Sequence, residues 1–113
     1  MPTENALTFV NSKIKSNKVV VFSKTYCPYC VKAKKALATL VKPEDMELIE
    51  LDNMQPGGSD PTIIEIQDAL YEVTGARSVP RVFVGGEFIG GGDDTAAKAA
   101  SGELAEKLKA IGV

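Results

Sequence analysis

The only two cysteines of this chain, Cys27 and Cys30, stand as C-x-x-C within Thr25-Tyr26-Cys27-Pro28-Tyr29-Cys30. Thiols three residues apart on a helix share one face, so their sulfurs can meet without moving the helix. That spacing suits reversible disulfide chemistry. Val19 to Phe22, just before the pair, reads as a buried strand, and Val31 to Val41, just after it, reads as a helix. A strand-to-helix junction leaves backbone N–H groups pointing outward. Cys27 falls where an N-cap residue would sit, and Pro28 suits the first helical position, where a missing N–H costs nothing. The Cys27 sulfur can then accept from the N–H groups of Tyr29 and Cys30, which with the helix dipole favours a thiolate there. Lys24 brings positive charge close by, and Lys32 is a second candidate. Cys27 is the expected nucleophile. Cys30, one turn on and on the apolar side, is expected to resolve a mixed disulfide formed on Cys27.

Two other uses of the pair stay open at this point. Free cysteines are often small buried hydrophobes, although C-x-x-C beside a β-α-β pattern reads as redox. The pair can also be half of a cluster site shared between two chains and completed by outside thiols. Pro28 weighs against that, because it stiffens the turn a ligand would have to adapt. The chain has no histidine. This removes Cys-His catalysis, Ser-His-Asp triads and His-ligated metals, and two cysteines cannot close a four-thiolate zinc site.

The elements that must position this pair follow from periodicity. Thr3 can cap a first helix with Leu7, Val10 and Ile14 on its inner face. Val19 to Phe22, apolar on both faces, fits a central strand covered on both sides. Cys30, Ala33, Leu37 and Leu40 make the inner face of the helix after the motif, with Pro43 as its stop. Met46 to Leu51 reads as a second strand and Gln55 to Ser59 as a loop. Asp60-Pro61 reads as cap and first residue of a third helix, with Ile63, Ile66, Leu70 and Val73 inward and Gly75 as its end. Arg81–Val84 and Glu87–Ile89 read as a hairpin about Gly85-Gly86. Asp93-Asp94 opens a last helical region that Gly102 interrupts, with Leu104, Leu108 and Ile111 inward. Ser78-Val79-Pro80 precedes the hairpin. A cis proline there would expose the Val79 N–H and C=O to an extended ligand, while a trans proline would simply start the strand. The order α-β-α-β-α-β-β-α calls for a parallel pair joined by a right-handed crossover, then an antiparallel hairpin. The expected fold is α/β, a four-stranded mixed sheet with helices on both faces.

Length and charge bound the rest. At 113 residues, the chain is expected to form one domain spanning 1–113. The net charge of −2, from 13 basic and 15 acidic residues, gives no reason to expect nucleic acid or an anionic membrane as partner. The first five residues lack the basic start and apolar block of a secretory signal, so a cytoplasmic location is the expectation.

Taken together, Cys27-Pro28-Tyr29-Cys30, Gln67, Thr74-Gly75-Ala76-Arg77-Ser78-Val79-Pro80 and Ile89-Gly90-Gly91 followed by Asp93-Asp94 resemble the dithiol glutaredoxins. The likeness runs from about Leu7 to Ile111. It implies a thioredoxin-like fold and a cis Pro80. It also implies glutathione as electron donor, no required metal, and reduction of protein disulfides and of protein–glutathione mixed disulfides. A monomer is the expected state. By position, Lys24 and Gln67 match residues that hold the glycine carboxylate of glutathione, and Tyr29 matches the ring lining the groove. Val79, before Pro80, matches the residue whose backbone pairs with the glutathione cysteine. Asp93 and Asp94 match the end that meets the γ-glutamyl group, with the helix N-terminus at Thr95 offering N–H groups. Arg77 is a further carboxylate contact or a surface charge. Ser78 stands where the family more often has threonine. The acidic, glycine-rich run Gly90 to Asp94 is a departure that suits a related low-molecular-weight thiol carrying an extra amine.

Overall fold

Val19–Ser23 forms the strand on which the molecule is built, and its five residues are all buried. Alternation sends Val20 and Phe22 to one side and Val19 and Val21 to the other, into two separate apolar clusters. The computed structural model describes residues 3–54 and 60–113. Along it run α1 (Glu4–Ser16), β1 (Val19–Ser23), α2 (Pro28–Ala38), β2 (Met46–Glu50), α3 (Ile63–Thr74), β3 (Arg81–Val84), β4 (Glu87–Gly90), α4 (Gly92–Ser101) and α5 (Glu103–Ala110). Short 3-10 segments at Pro43–Asp45 and Leu51–Asn53 flank β2.

The sheet order is β2-β1-β3-β4. β1 pairs parallel with β2 and antiparallel with β3, and β3 pairs antiparallel with β4. One face is covered by α1 and α3, whose Val10, Ile66 and Leu70 pack on Phe22 and Phe83. The other is covered by α2 and α5, whose Leu37, Leu104 and Leu108 pack on Val21 and Val82, with Ala99 of α4 alongside. Burying a side chain of this size stabilises by about 1.5–3 kcal/mol. The expected mixed sheet with helices on both faces is thus the observed one.

Local signals explain most boundaries. Thr3 caps α1, its hydroxyl accepting from Ala6 N–H at 3.1 Å. Gly85 and Gly86 both have positive φ, 59° and 86°, as a two-residue hairpin turn requires. Gly75 ends α3, and Gly102 divides the last helical region, each in the left-handed conformation.

Four expectations are corrected. The third helix starts at Ile63 with Thr62 as cap, not at Asp60-Pro61. Thr62 and Glu65 form a reciprocal capping box, which satisfies two free donors where Asp60 could satisfy one. α2 stops at Ala38, before Pro43, because the Thr39 hydroxyl turns back to Ala36 C=O. Leu40 and Val73 are 38% exposed and are not core residues. β2 ends at Glu50, where Leu51 begins a 3-10 turn that drives its side chain into the α1/α3 cluster. The loop expected over Gln55–Ser59 lies outside the described residues.

Candidate active site

The two cysteines lie at the C-terminal end of β1, where the chain turns into α2. Lys24 C=O accepts from Cys27 N–H at 3.2 Å, which closes a four-residue turn through Thr25 and Tyr26. Cys27 is the N-cap of α2, in extended conformation, with Pro28 next. Its sulfur accepts from Cys30 N–H at 3.4 Å and lies 3.7 Å from the Val79 carbonyl oxygen, to which the thiol donates. Among the described hydrogen bonds, Cys30 supplies an N–H to that sulfur and Tyr29 does not. Both cysteines are free thiols; Cys27 is partly exposed and Cys30 is fully buried.

The buried environment acts on Cys30. Burial pushes its thiol above the ordinary value; the Lys24 backbone pulls the other way, and the Cys27 sulfur adds to the rise. A raised thiol pKa means less thiolate at any given pH. In a Cys27→Ser variant, alkylation of Cys30 is therefore expected to stay slow through neutral pH and to climb only above the ordinary thiol range. The same variant in denaturant should titrate as a free cysteine. Mass spectrometry of label uptake across a pH series checks this, and matching native and denatured profiles would refute it.

The remaining candidate residues fall into two clefts. Lys24 and Gln67 line one of about 460 Å³ together with Met54, Pro61, Ile63 and Ile64. Tyr29, Val79, Pro80, Asp93 and Asp94 line another of about 330 Å³, with Ser78, Arg81 and Gly92. The Val79–Pro80 bond is cis. Tyr29 is 58% exposed at the first turn of α2.

Four of the polar candidates, Gln67, Arg77, Asp93 and Asp94, already have an internal partner. Gln67 Nε2 donates to Arg77 C=O at 3.0 Å, which ties α3 to the segment before Val79. Arg77 pairs with Asp68 at 2.9 Å and lies over the Tyr71 ring, which ties it to α3. Asp93 accepts from Lys32 Nζ at 2.7 Å, a bond that holds Lys32 above the usual lysine range. Asp94 reaches back to Gly91 N–H at 3.4 Å. Gly91, not Asp93 or Asp94, is the cap of α4. Thr95 N–H is spent on Gly91 C=O at 3.0 Å, so the free amides of this helix start belong to Gly92, Asp93 and Asp94. Gly92 is where α4 meets α2: a side chain there would place Cβ 2.5 Å from Tyr29 C=O.

Two residues at the site were not singled out from the sequence. Arg81 donates to Pro80 C=O and to the Ser78 hydroxyl, both at 3.2 Å, and lies over the Phe88 ring, which pins the segment that carries Val79. Asp52 accepts from Thr25 N–H at 3.0 Å and from the Thr25 hydroxyl, inside the turn that ends on Cys27. The β1/β2 parallel register is the signal that finds Asp52. Arg81 has only its place beside Pro80 to mark it. Among the described residues no group of three or more histidine, cysteine or acidic side chains is placed to hold a metal ion.

Comparison with known proteins places these features in context. A family model described as Glutaredoxin matches residues 19–89. Glutaredoxin-1 of Bos taurus is 48% identical over 107 residues, covering 95% of this chain and 96% of that protein. The crystal structure of oxidized glutaredoxin 2 from Chlamydomonas reinhardtii is similar with a TM-score of 0.86 at 46% identity, over 99% of this chain and 98% of that one. The crystal structure of a buckwheat glutaredoxin–glutathione complex has a TM-score of 0.80 at 41% identity, over 98% of this chain and 97% of that one.

Proposed function

This chain belongs to the glutaredoxin family, and from that premise we propose that Cys27 is the nucleophile of a glutathione-dependent thiol–disulfide oxidoreductase and Cys30 its resolving thiol. The observation that carries the assignment is the Cys27 sulfur. It is partly exposed at the N-cap of α2, receives one backbone N–H, and faces the Val79 carbonyl.

The chemistry balances as follows. The Cys27 thiolate attacks the glutathione sulfur of a protein–glutathione mixed disulfide. The Cys27–glutathione bond forms, the old disulfide breaks, and the protein leaves as a thiolate that takes up a proton. A second glutathione thiolate attacks the bound glutathione sulfur, releasing oxidised glutathione and restoring the Cys27 thiolate. With a protein disulfide, Cys27 becomes linked to the substrate instead. Cys30 then attacks Cys27, passing its proton to the departing substrate thiolate, and two glutathiones reduce the resulting Cys27–Cys30 disulfide. Burial keeps Cys30 a thiol until that step.

Binding glutathione beside Cys27 draws on both clefts. Lys24 offers charge to the glycine carboxylate, and the Val79 backbone lies level with the attacking sulfur. The first-turn amides of α4 face the γ-glutamyl carboxylate, with Tyr29 as the side wall. Lys32 holds one oxygen of Asp93 in an exposed pair that costs little to open, and the other oxygen faces outward for an amine. Glutathionylated and disulfide-containing proteins are the proposed partners, met by a monomer whose reactive sulfur stands at the surface.

One assay tests this reading: turnover of a small glutathione mixed disulfide with and without added glutathione. Multiple turnovers are expected only with glutathione, and a single stoichiometric release of thiol without it. Equal turnover in both would remove the reading.

A further inference from the structure

The parallel register of β1 and β2 sets Ser23 opposite Glu50. Carried two residues further, it sets Thr25 opposite Asp52. By then both strands have ended. β1 has passed into the turn closed by Lys24 C=O and Cys27 N–H, and β2 into the 3-10 segment Leu51–Asn53. The Asp52 carboxylate takes over from the backbone ladder. One oxygen accepts from Thr25 N–H at 3.0 Å and the other accepts from the Thr25 hydroxyl. The anchor is firm, because its neighbour Leu51 is fully buried in the α1/α3 cluster. Hydrogen bonds to a charged acceptor are the stronger kind. The Thr25 hydroxyl, then its N–H, hold the Asp52 carboxyl below the usual carboxylate range.

We propose that Asp52 is a positioning residue for the reaction. Through Thr25 it fixes the turn whose first residue is Lys24 and whose last is Cys27. The proposal rests on Cys27 being the nucleophile. Clamping one turn from outside sets two things at once: where the sulfur stands relative to the Val79 carbonyl, and where the lysine points relative to Gln67. Asp52 touches neither substrate nor sulfur; it acts through Thr25.

Charge alone argues for the opposite outcome. An aspartate near Lys24 weakens the pull of that lysine on an anionic tripeptide, so its removal should lower the KM for glutathione. A clamp makes its removal raise that KM. The sign separates the two.

The test is steady-state reduction of a small glutathione mixed disulfide by wild type, Asp52→Ala, Asp52→Asn, Thr25→Val and the Asp52→Ala/Thr25→Val double variant. A reacting group displaced by about 1 Å loses up to about a hundredfold, so Asp52→Ala is expected to lose about tenfold in kcat/KM, with KM for glutathione raised. Asp52→Asn keeps a carbonyl acceptor for Thr25 N–H without the charge, and should stay within about threefold of wild type. Thr25→Val should lose part of the effect, and the double variant should be no worse than Asp52→Ala, as expected for one shared interaction. Asp52→Ala within about twofold of wild type, a lowered KM, or multiplying losses would each overturn the clamp. If Asp52→Ala does not fold, Thr25→Val decides, and wild-type rates in it overturn the proposal. A wild type without glutathione-dependent turnover would instead remove the assignment of Cys27 on which all this stands.

Discussion

Cys27→Ser is expected to lose all reductase activity, while Cys30→Ser keeps one of the two reactions. A serine hydroxyl at the α2 N-cap preserves the helix start but is not appreciably ionised at neutral pH and cannot form a disulfide. The rate should fall to the uncatalysed background, at least about a thousandfold, as loss of a covalent nucleophile does elsewhere. Cys30→Ser removes the second thiol but not the first. Reduction of small glutathione mixed disulfides needs one sulfur and an outside glutathione, and should stay within a few-fold of wild type. Reduction of a protein disulfide, which needs Cys30 to release the substrate, should drop sharply, and the linked complex should accumulate. A mixed-disulfide assay, a protein-disulfide assay and non-reducing electrophoresis separate these outcomes. If both variants lose mixed-disulfide reduction equally, the division of roles between the two sulfurs is wrong.

Gly92→Ala is expected to give the second-largest effect, on stability and activity together. A Cβ at this position would stand 2.5 Å from Tyr29 C=O and 3.1 Å from its carbonyl carbon. These are backbone atoms of the helix that carries the cysteines, so they cannot swing aside, and α4 must retreat from α2. Overpacking of this kind costs about 1–3 kcal/mol, which for a domain of this size lowers Tm by roughly 5–15 °C. The retreat also moves the start of α4 away from Tyr29 and widens the 330 Å³ cleft, so kcat/KM should fall about tenfold even where the protein is folded. Gly102→Ala is the control. It has positive φ, but nothing lies within 4 Å of its would-be Cβ. It should cost only about 1–2 kcal/mol for the left-handed backbone and leave kcat/KM unchanged. Thermal unfolding and the mixed-disulfide assay on both variants decide the matter; wild-type behaviour of Gly92→Ala would show that α4 and α2 are not in fixed contact.

How far the sequence foretells the molecule depends on whether a feature is local. β1 was legible because four consecutive apolar residues, Val19 to Phe22, admit few other places; only Ser23 was added by the structure. The cap at Cys27 was legible because Pro28 follows it. The start of α3 was misread, although Thr62-x-x-Glu65 carried a stronger capping signal than Asp60-Pro61. Two signals competed within three residues, and the one satisfying two donors prevailed. The partners of Gln67, Asp93 and Arg81 were not legible. Lys32 and Asp93 are 61 positions apart, and only the packing of α2 against α4 brings them together. Asp52 lies between the two cases: once the strands and their parallel pairing are placed, counting two residues past the end of the ladder finds it.

β1 gives alternate side chains to both apolar clusters, so neither half of the molecule can come apart while the other keeps its shape. The ends of α1 and α5 can fray without disturbing this strand. The turn that carries Cys27 leaves directly from its last residue, so the reactive sulfur hangs from the segment that lets go only when the whole domain does. Fraying at the chain ends is therefore expected to leave the turn that carries Cys27 in place.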